Sequence, residues 1–574
     1  MSRRAFIVSI VAIFAAGALM RSLWLRSDPP VVQSVGIVWH DEGAWVHNAR
    51  NRALWGVWRT DEWNPVFIAP VFTGLEYAAF RTFGVGTWQA RTVPVISGLA
   101  AIVFIIAGVQ AAGGRRAAAI AGAIVATNYA FVMWNRAALM ESTMTAFIVA
   151  AWAAYAMAER RPAWGLAAGV FAALAWFTKA SAAFFIAALV IDAGFTWLQS
   201  MRSPDRSGER RAAWLTIAGL AAAGAAAALF FVGPHWREYQ FYNWQMTVTR
   251  KPEYTLHAFI DRASWLPIVH DLFARMWLAL AGAALATLGI AARWRTARPA
   301  ERLLVLWVIV GLAELVVHDS GNVRRYVMFI PALAALAGLL AGSRDPILPP
   351  GLERTSAIGR AVGAALLLVL GYLAAGSITR TIFRASVEAN DLHLAVRLGA
   401  AAAVVITAAC LWRWNSWTRR LSSFVLTTPM VVTALVVGLS WNLYEFGVWA
   451  GSKRHVNYDA SVALGRTLPP GTLVQGKLAN GMALENRIRP LFIGNHFGNY
   501  DDRLRRSDVR YILTYDLPHI GIESSDGSGL IQGLLDASPG WREVATFDVD
   551  ETPAPERAAL IDKLGGKDPA HARD

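Results

Sequence analysis

The sequence predicts a mainly α, polytopic transmembrane helical bundle that ends in a small α/β unit. Three observations predict it. Of 574 residues, 55% are hydrophobic and only 16% charged, and the mean hydropathy is +0.38, too apolar for a soluble chain of this length. Apolar runs of roughly 17 to 25 residues, the length that crosses a bilayer, recur from the N-terminus to about residue 443. From about Lys453 the composition turns to that of a soluble domain, with short strand-like runs between polar stretches.

The net charge of +14 would suggest nucleic acid in a soluble protein. Here the arginines cluster between apolar runs and read as topology signals, so no nucleic acid is expected. The single cysteine, Cys410, lies within an apolar run and rules out a disulfide framework. Twenty-five tryptophans gather at the ends of apolar runs, where amphipathic rings meet the lipid headgroups.

In chain order, Met1 to Arg4 is basic and Ala5 to Met20 apolar, with no small-residue cleavage site after it. It reads as an uncleaved first helix with a cytoplasmic N-terminus. Spans are expected near 5–24, 92–112, 117–134, 142–158, 163–178, 180–199, 213–232, 272–292, 303–318, 325–341, 359–378, 393–412 and 424–443, about thirteen by the hydropathy rule. This register puts Arg115/Arg116, Arg160/Arg161, Arg202/Arg206/Arg210/Arg211, Arg293/Arg295/Arg298/Arg302, Arg344/Arg354/Arg360 and Arg413/Arg419/Arg420 in cytoplasmic loops, as the positive-inside rule requires. An odd count sends the C-terminal unit to the extracytoplasmic side.

The expected organisation is a membrane domain over 1–450, an extracytoplasmic α/β domain over 451–550 and a polar, frayed tail over 551–574. The membrane domain carries a first outer loop at 25–91 and an aromatic outer loop at 234–271. Within the first loop, Pro65 to Phe80 is nearly apolar enough to span, but Glu76 interrupts it and counting it would invert every later loop. It reads as a helix at the outer leaflet. Trp236, Tyr239, Phe241, Tyr242 and Trp244 suit the same interface.

In a chain so apolar, chemistry belongs where charges are kept. Asp41 and Glu42 are adjacent acids in the first outer loop, and Glu141 falls at the next outward helix junction, facing the same compartment. Acids from separate loops that converge give one group to deprotonate a nucleophile and another to orient it, and Asp41 with Glu141 would hold a divalent metal ion if one takes part. The competing reading is a solvated loop pair at 41–42 and a helix-capping Glu141. Lys179 stands alone between two apolar runs, and Arg136, Arg324, Arg325 and Tyr326 lie at outward helix mouths, where positive-inside statistics disfavour arginine. A snorkelling stem accounts for Lys179 equally well. An anionic ligand, such as a lipid phosphate, accounts for all of these cations together.

The residues around these charges resemble a known group. Asp41-Glu42 after the first helix, Asn64-Pro65 opening the interfacial helix, Phe83-Gly84-Val85 through Arg91, Leu139-Met140-Glu141 and Thr178-Lys179 look like the GT-C superfamily of membrane glycosyltransferases. Within it, the likeness is to the branch of protein O-mannosyltransferases, the lipid A aminoarabinose transferase and lipopolysaccharide-core transferases of the Rgt type. That resemblance implies a polyprenyl-phosphate-linked sugar as donor. Transfer with inversion to an envelope glycan, lipid or protein acceptor would take place on the extracytoplasmic side of the cytoplasmic membrane. It makes Asp41 the first-loop carboxylate, Glu141 the second acidic position, and Lys179 and Arg325-Tyr326 the positions near the donor phosphate. Trp63-Asn64 stands where the aminoarabinose transferase has an acidic-basic pair, and His235 and His257 are displaced from the expected histidine, which weakens a metal there. Two other functions fit a chain of this kind, a lipid or solute carrier without chemistry and a polymerase or ligase of lipid-linked glycans.

Overall fold

The computed structural model describes residues 1–29, 39–201, 206–246, 255–265, 276–318, 323–352, 355–386, 392–492, 508–515, 540–549 and 556–563. The architecture is a helical bundle closed at its C-terminal end by a small mixed sheet. Helix α1 (Arg3–Ser22) starts where Ser2 accepts a hydrogen bond from the Ala5 amide, a side-chain N-cap. Then follow α2 (Trp39–Trp55), α3 (Pro70–Phe83), α4 (Thr87–Thr127), α5 (Tyr129–Trp134), α6 (Met140–Ala158), α7 (Trp164–Thr178) and α8 (Ala183–Met201).

Each expected span overlaps a helix where the chain is described, though some ends are not helical, residues 23–24 and 424–427 among them. By length and apolarity, seven helices among the described residues suit a full crossing, or up to eight if the bent pair Arg397–Trp412 and Trp414–Ser423 is one span. Trp164–Thr178 and Trp277–Ala292 are apolar but shorter. Two expected spans, 92–112 and 117–134, meet in α4, which breaks at Gly114, where φ is +85°. That conformation is open to glycine and strained for other residues.

The bundle packs through small residues, as helices do when lipid is the alternative surround. A Cβ added at Gly169 of α7 would lie 2.2 Å from the Thr216 carbonyl oxygen, and one at Gly219 would lie 2.2 Å from that of Leu166. The two backbones are therefore in direct contact. Gly338 and Gly342 meet Ala121 and Ala117 of α4 in the same way.

Helix α3 is the expected leaflet helix, and Glu76 is not at its wet edge. The side chain is fully buried, and neither carboxylate oxygen has a hydrogen-bond partner. Burial, reinforced by the neighbouring charge of Glu42, pushes this carboxyl well above the ordinary range. The residue sits where α3 packs on α2 and α4.

The C-terminal unit is α/β, with five strands in the order β2-β1-β3-β5-β4: β1 (Leu473–Gln475), β2 (Arg489–Leu491), β3 (Tyr511–Tyr515), β4 (Arg542–Val549) and β5 (Glu556–Asp562). Strands β2 and β3 run parallel to β1, while β5 pairs antiparallel with both β3 and β4. The expectation of a frayed tail from 551 is corrected by β5. Ala558 and Leu560 point into the unit's core beside Val474, Leu513 and Phe547, and burying that apolar face orders the segment. Residues 551–555 and 564–574 lie outside the described residues.

This unit is bonded to the first outer loop rather than tethered beside it. Arg50 of α2 donates to the carbonyls of Ala483, Asn486 and Ile488 at 3.0 to 3.1 Å. Asp28 accepts from the amides of Val456 and Asn457, capping the helix Val456–Thr467 from a distant part of the chain. Glu485 accepts from the Thr87 amide at 2.6 Å and caps α4. Trp63 stacks on Phe492 with ring centroids 4.7 Å apart.

Candidate active site

Asp41 lies in the first turn of α2, where a carboxylate suits the helix dipole. The expected Asp41-Glu42 pair is split by that helix, because successive residues point about 100° apart around an α-helical axis with 3.6 residues per turn. Asp41 faces the 3-10 turn Val323–Phe329 and accepts a hydrogen bond from Arg324. Glu42 turns inward and is held by both forks of Arg91, at 2.8 and 2.7 Å, and by the Ala138 amide at 2.7 Å. That pair is buried, and Arg91 also donates to the carbonyls of Leu25 and Ser27. Glu42 therefore fastens α2 to α4 and to the loop before α6, and the structure does not bring it to Asp41's partners.

Glu141, in the first turn of α6, and Lys179, the C-cap of α7, form a second pair at 2.5 Å. The place of Glu141 in the first turn suits the helix dipole, but no side-chain capping bond is made there, and its side-chain bond is to Lys179. Its side chain is 2% exposed against 18% for Lys179. Burial pushes the Glu141 carboxyl up, but Lys179, the charge of Arg324 and the hydrogen bond from Lys179 together hold it below the usual range. For Lys179, burial lowers the ammonium and Glu141 opposes this, while Arg325 and Arg324 add to the lowering. Arg324 thus pairs with Asp41 and acts on Glu141 and Lys179, which draws the four side chains into one cluster. Asp41 and Arg324 are about one-fifth exposed, so the cluster opens to a ligand.

Arg325 bonds Glu314 of the Pro299–His318 helix at 2.5 Å. Neighbours in a 3-10 turn point about 120° apart, so the two arginines serve different carboxylates while both act on Lys179. Tyr326 is fully buried in the main core. Arg136 departs from the expected phosphate group. It donates to the carbonyls of Met20, Arg21 and Trp24 and lies over the Trp449 ring at 4.5 Å, so it ties α1 to α5 and to Thr428–Ser452. Side chains of Trp39 and His40 lie outside the described residues.

Sequence reasoning placed Arg324 at a helix mouth but gave the donor-phosphate position to Arg325, and it paired Glu314 with neither arginine. The signal for both was present, since a carboxylate 11 residues before an arginine pair calls for a partner inside a bundle. A buried polar group nearby also went unnoticed. His47 meets Asp61 at 3.0 Å, and Asp61 accepts from the amides of Trp63 and Phe492. Asn64 donates to Tyr242 at 2.7 Å, joining this group to the aromatic loop.

The donor set does not suit a divalent ion. Among the described residues no three histidine, cysteine, aspartate or glutamate side chains come together to hold one, and Asp41 and Glu141 each already face a cation. The arrangement is three cations, Lys179, Arg324 and Arg325, each held by a carboxylate, Glu141, Asp41 and Glu314 in turn, with Asp41 partly exposed. Such a site neutralises an anion while a carboxylate accepts a proton close by.

Comparison with known proteins bears on the fold. Residues 69–232 match the family model described as dolichyl-phosphate-mannose-protein mannosyltransferase. The crystal structure of ArnT from Cupriavidus metallidurans in the apo state superposes with a TM-score of 0.53 at 17% identity, over 98% of this chain and 99% of that one. The structure of the same protein bound to undecaprenyl phosphate gives a TM-score of 0.52 at 17% identity, over 97% and 98%. No curated protein sequence matches. The described residues therefore share the fold of ArnT, and the long apolar helices make this a multi-pass membrane protein.

Proposed function

We propose that this GT-C-fold chain is a membrane glycosyltransferase that moves a sugar from a polyprenyl-phosphate donor to an envelope acceptor. Transfer inverts the anomeric carbon and takes place outside the cytoplasmic membrane. The observation that carries the reading is the convergence of Asp41, Arg324, Glu141 and Lys179, from α2, the Val323–Phe329 turn, α6 and α7, at one cluster. The matched family model and the undecaprenyl phosphate bound by ArnT support the donor class.

In this reading the acceptor hydroxyl, oriented by Asp41, attacks the anomeric carbon from the face opposite the phosphate. A new C–O bond forms, the bond from that carbon to the phosphate oxygen breaks, and the hydroxyl proton passes to the Asp41 carboxylate. Negative charge develops on the departing polyprenyl phosphate, where Lys179 and Arg324 neutralise it, with Arg325 behind them. Glu141 keeps Lys179 charged and in place. Arg324 contacts Asp41 and acts on Lys179's partner, so it couples the base to the leaving group. No step passes through a metal.

The test is mass spectrometry of lipid-linked sugars and envelope glycans from cells carrying the wild-type chain or Asp41→Asn. The expected outcome is accumulation of one polyprenyl-phosphate sugar and loss of one envelope modification in the variant, with the protein still in the membrane. Unchanged glycans with Asp41→Asn present at normal level would overturn the assignment.

A further inference from the structure

Helix α6 begins at the Glu141 cluster, and its 19 residues carry the chain about 28 Å, at 1.5 Å per residue, to a second group of charges. There a cavity of about 780 Å³ is rimmed by four arginines, Arg160, Arg293, Arg298 and Arg344. The charge pattern assigns this face to the cytoplasm.

The rim is not internally neutralised. Among the described residues Arg293 alone of the four forms an ion pair, bonding Glu301 at 2.9 and 2.8 Å, while Glu159 acts on Arg298 through charge without a direct bond. The guanidinium groups of Arg160 and Arg298, which line the cavity, each donate one hydrogen bond, to the carbonyls of Ala111 and Ala112, and leave other guanidinium N–H groups unused. Arg344 makes no hydrogen bond or ion pair among the described residues, and it is exposed. The other acid of the rim, Asp345, is engaged by the Ser343 hydroxyl at 3.0 Å. Behind the arginines the wall is hydrocarbon, including Ile290, Leu339 and Leu340 at the ends of apolar helices. The cavity is open, so cations at its mouth and aliphatic side chains behind them face the same space.

We propose that this cavity binds the phosphodiester head group of an anionic membrane lipid, with the start of an acyl chain along the Ile290 and Leu340 wall. Guanidinium forks match phosphate oxygens in pairs, and basic pockets between helices at a cytoplasmic surface suit anionic head groups. A free phosphate ion would use the arginines alone, whereas a lipid uses the arginines and the apolar wall together. The site is separate from the transferase cluster and does not rest on the proposed activity.

The test uses the full-length protein in a non-ionic detergent, titrated with short-chain phosphatidylglycerol, phosphatidylcholine or inorganic phosphate, with adducts resolved by native mass spectrometry. The expected result is a saturable phosphatidylglycerol adduct that phosphatidylcholine does not reproduce and inorganic phosphate does not displace. Arg344→Ala and Arg160→Ala each weaken it about fivefold, the worth of one surface cation facing an anionic lipid. Arg344→Lys retains it. Arg295→Ala, an exposed arginine on the same face but outside the cavity, leaves it unchanged. Equal retention of the two lipids would overturn the proposal. Displacement by inorganic phosphate would overturn the lipid source in favour of a free ion, and equal weakening by Arg295→Ala would reduce the site to diffuse surface charge.

Discussion

Replacing Lys179 with methionine separates two roles, one proposed toward the donor and one seen in the fold. Toward the donor, Lys179 supplies a charge-assisted hydrogen bond, worth about 1.5 to 3 kcal/mol, or roughly 10- to 150-fold in kcat/KM at 1.36 kcal/mol per tenfold. Toward the fold, it is the partner of a carboxylate only 2% exposed, whose second oxygen already lacks a hydrogen bond. Breaking a buried pair costs about 3 to 5 kcal/mol. Because Lys179 is 18% exposed and Arg324 still acts on Glu141, the lower end, about 3 kcal/mol, applies. The second substitution Glu141→Gln removes the stranded charge. Lys179→Met alone should lose both donor use and thermal stability. The double variant should recover most of the stability and none of the donor use. The assay is donor-concentration dependence of transfer in detergent-solubilised membranes, alongside thermal unfolding of the same preparations. Donor KM within twofold of wild type in Lys179→Met, or recovered donor use in the double variant, would refute the role given to Lys179.

Other expectations follow from the same geometry. Arg91→Met strands the buried Glu42 and should destabilise the chain by about 3 to 5 kcal/mol. Its residual folded fraction should keep a normal donor KM, so a raised KM at full stability would return Glu42 to the reacting centre. In pH profiles, the lowered Lys179 ammonium loses its proton before the ordinary lysine value of about 10.4 is reached, so donor KM should climb early on the alkaline side. The lowered Glu141 carboxyl stays ionised as pH falls, so the pair should persist below the ordinary glutamate value of about 4.3. Glu141→Gln removes the charge that favours the ammonium and should move the alkaline limb to lower pH, and a limb that stays put would contradict the pairing.

The bundle was legible in the sequence because lipid imposes length and apolarity on each span, and arginines mark its ends. The interfacial helix, expected over Pro65 to Phe80 and found at 70–83, and the strand-like runs after Lys453 were legible for similar reasons of period and composition. Legibility stopped where partners are chosen across the chain. Asp41 and Glu42 look equivalent as neighbours, and only the helical rotation of α2 sends one to Arg324 and the other to Arg91. Arg324 and Arg325 diverge for the same reason. Arg136 reads as a stray cation until its carbonyl partners in α1 are in place. Strand β5 hides in a charged, proline-containing tail because Ala558 and Leu560 are apolar enough to pair only once β3 and β4 flank them. The C-terminal unit's grip on α2 through Arg50 depends on residues more than 400 positions apart, which no local pattern announces.

The central claim is that Asp41 serves the attack on a polyprenyl-phosphate sugar while the neighbouring cations receive the phosphate. It is tested most directly by single-turnover release of polyprenyl phosphate from a defined donor by purified protein with acceptor present. Wild type should release it, with inversion at the anomeric carbon. Asp41→Asn should bind the donor with near-normal affinity, because Lys179, Arg324 and Arg325 remain, and should release product about 10²- to 10⁴-fold more slowly, the range for removing a general base. Release by Asp41→Asn within tenfold of wild type, at equal donor occupancy, would contradict the account.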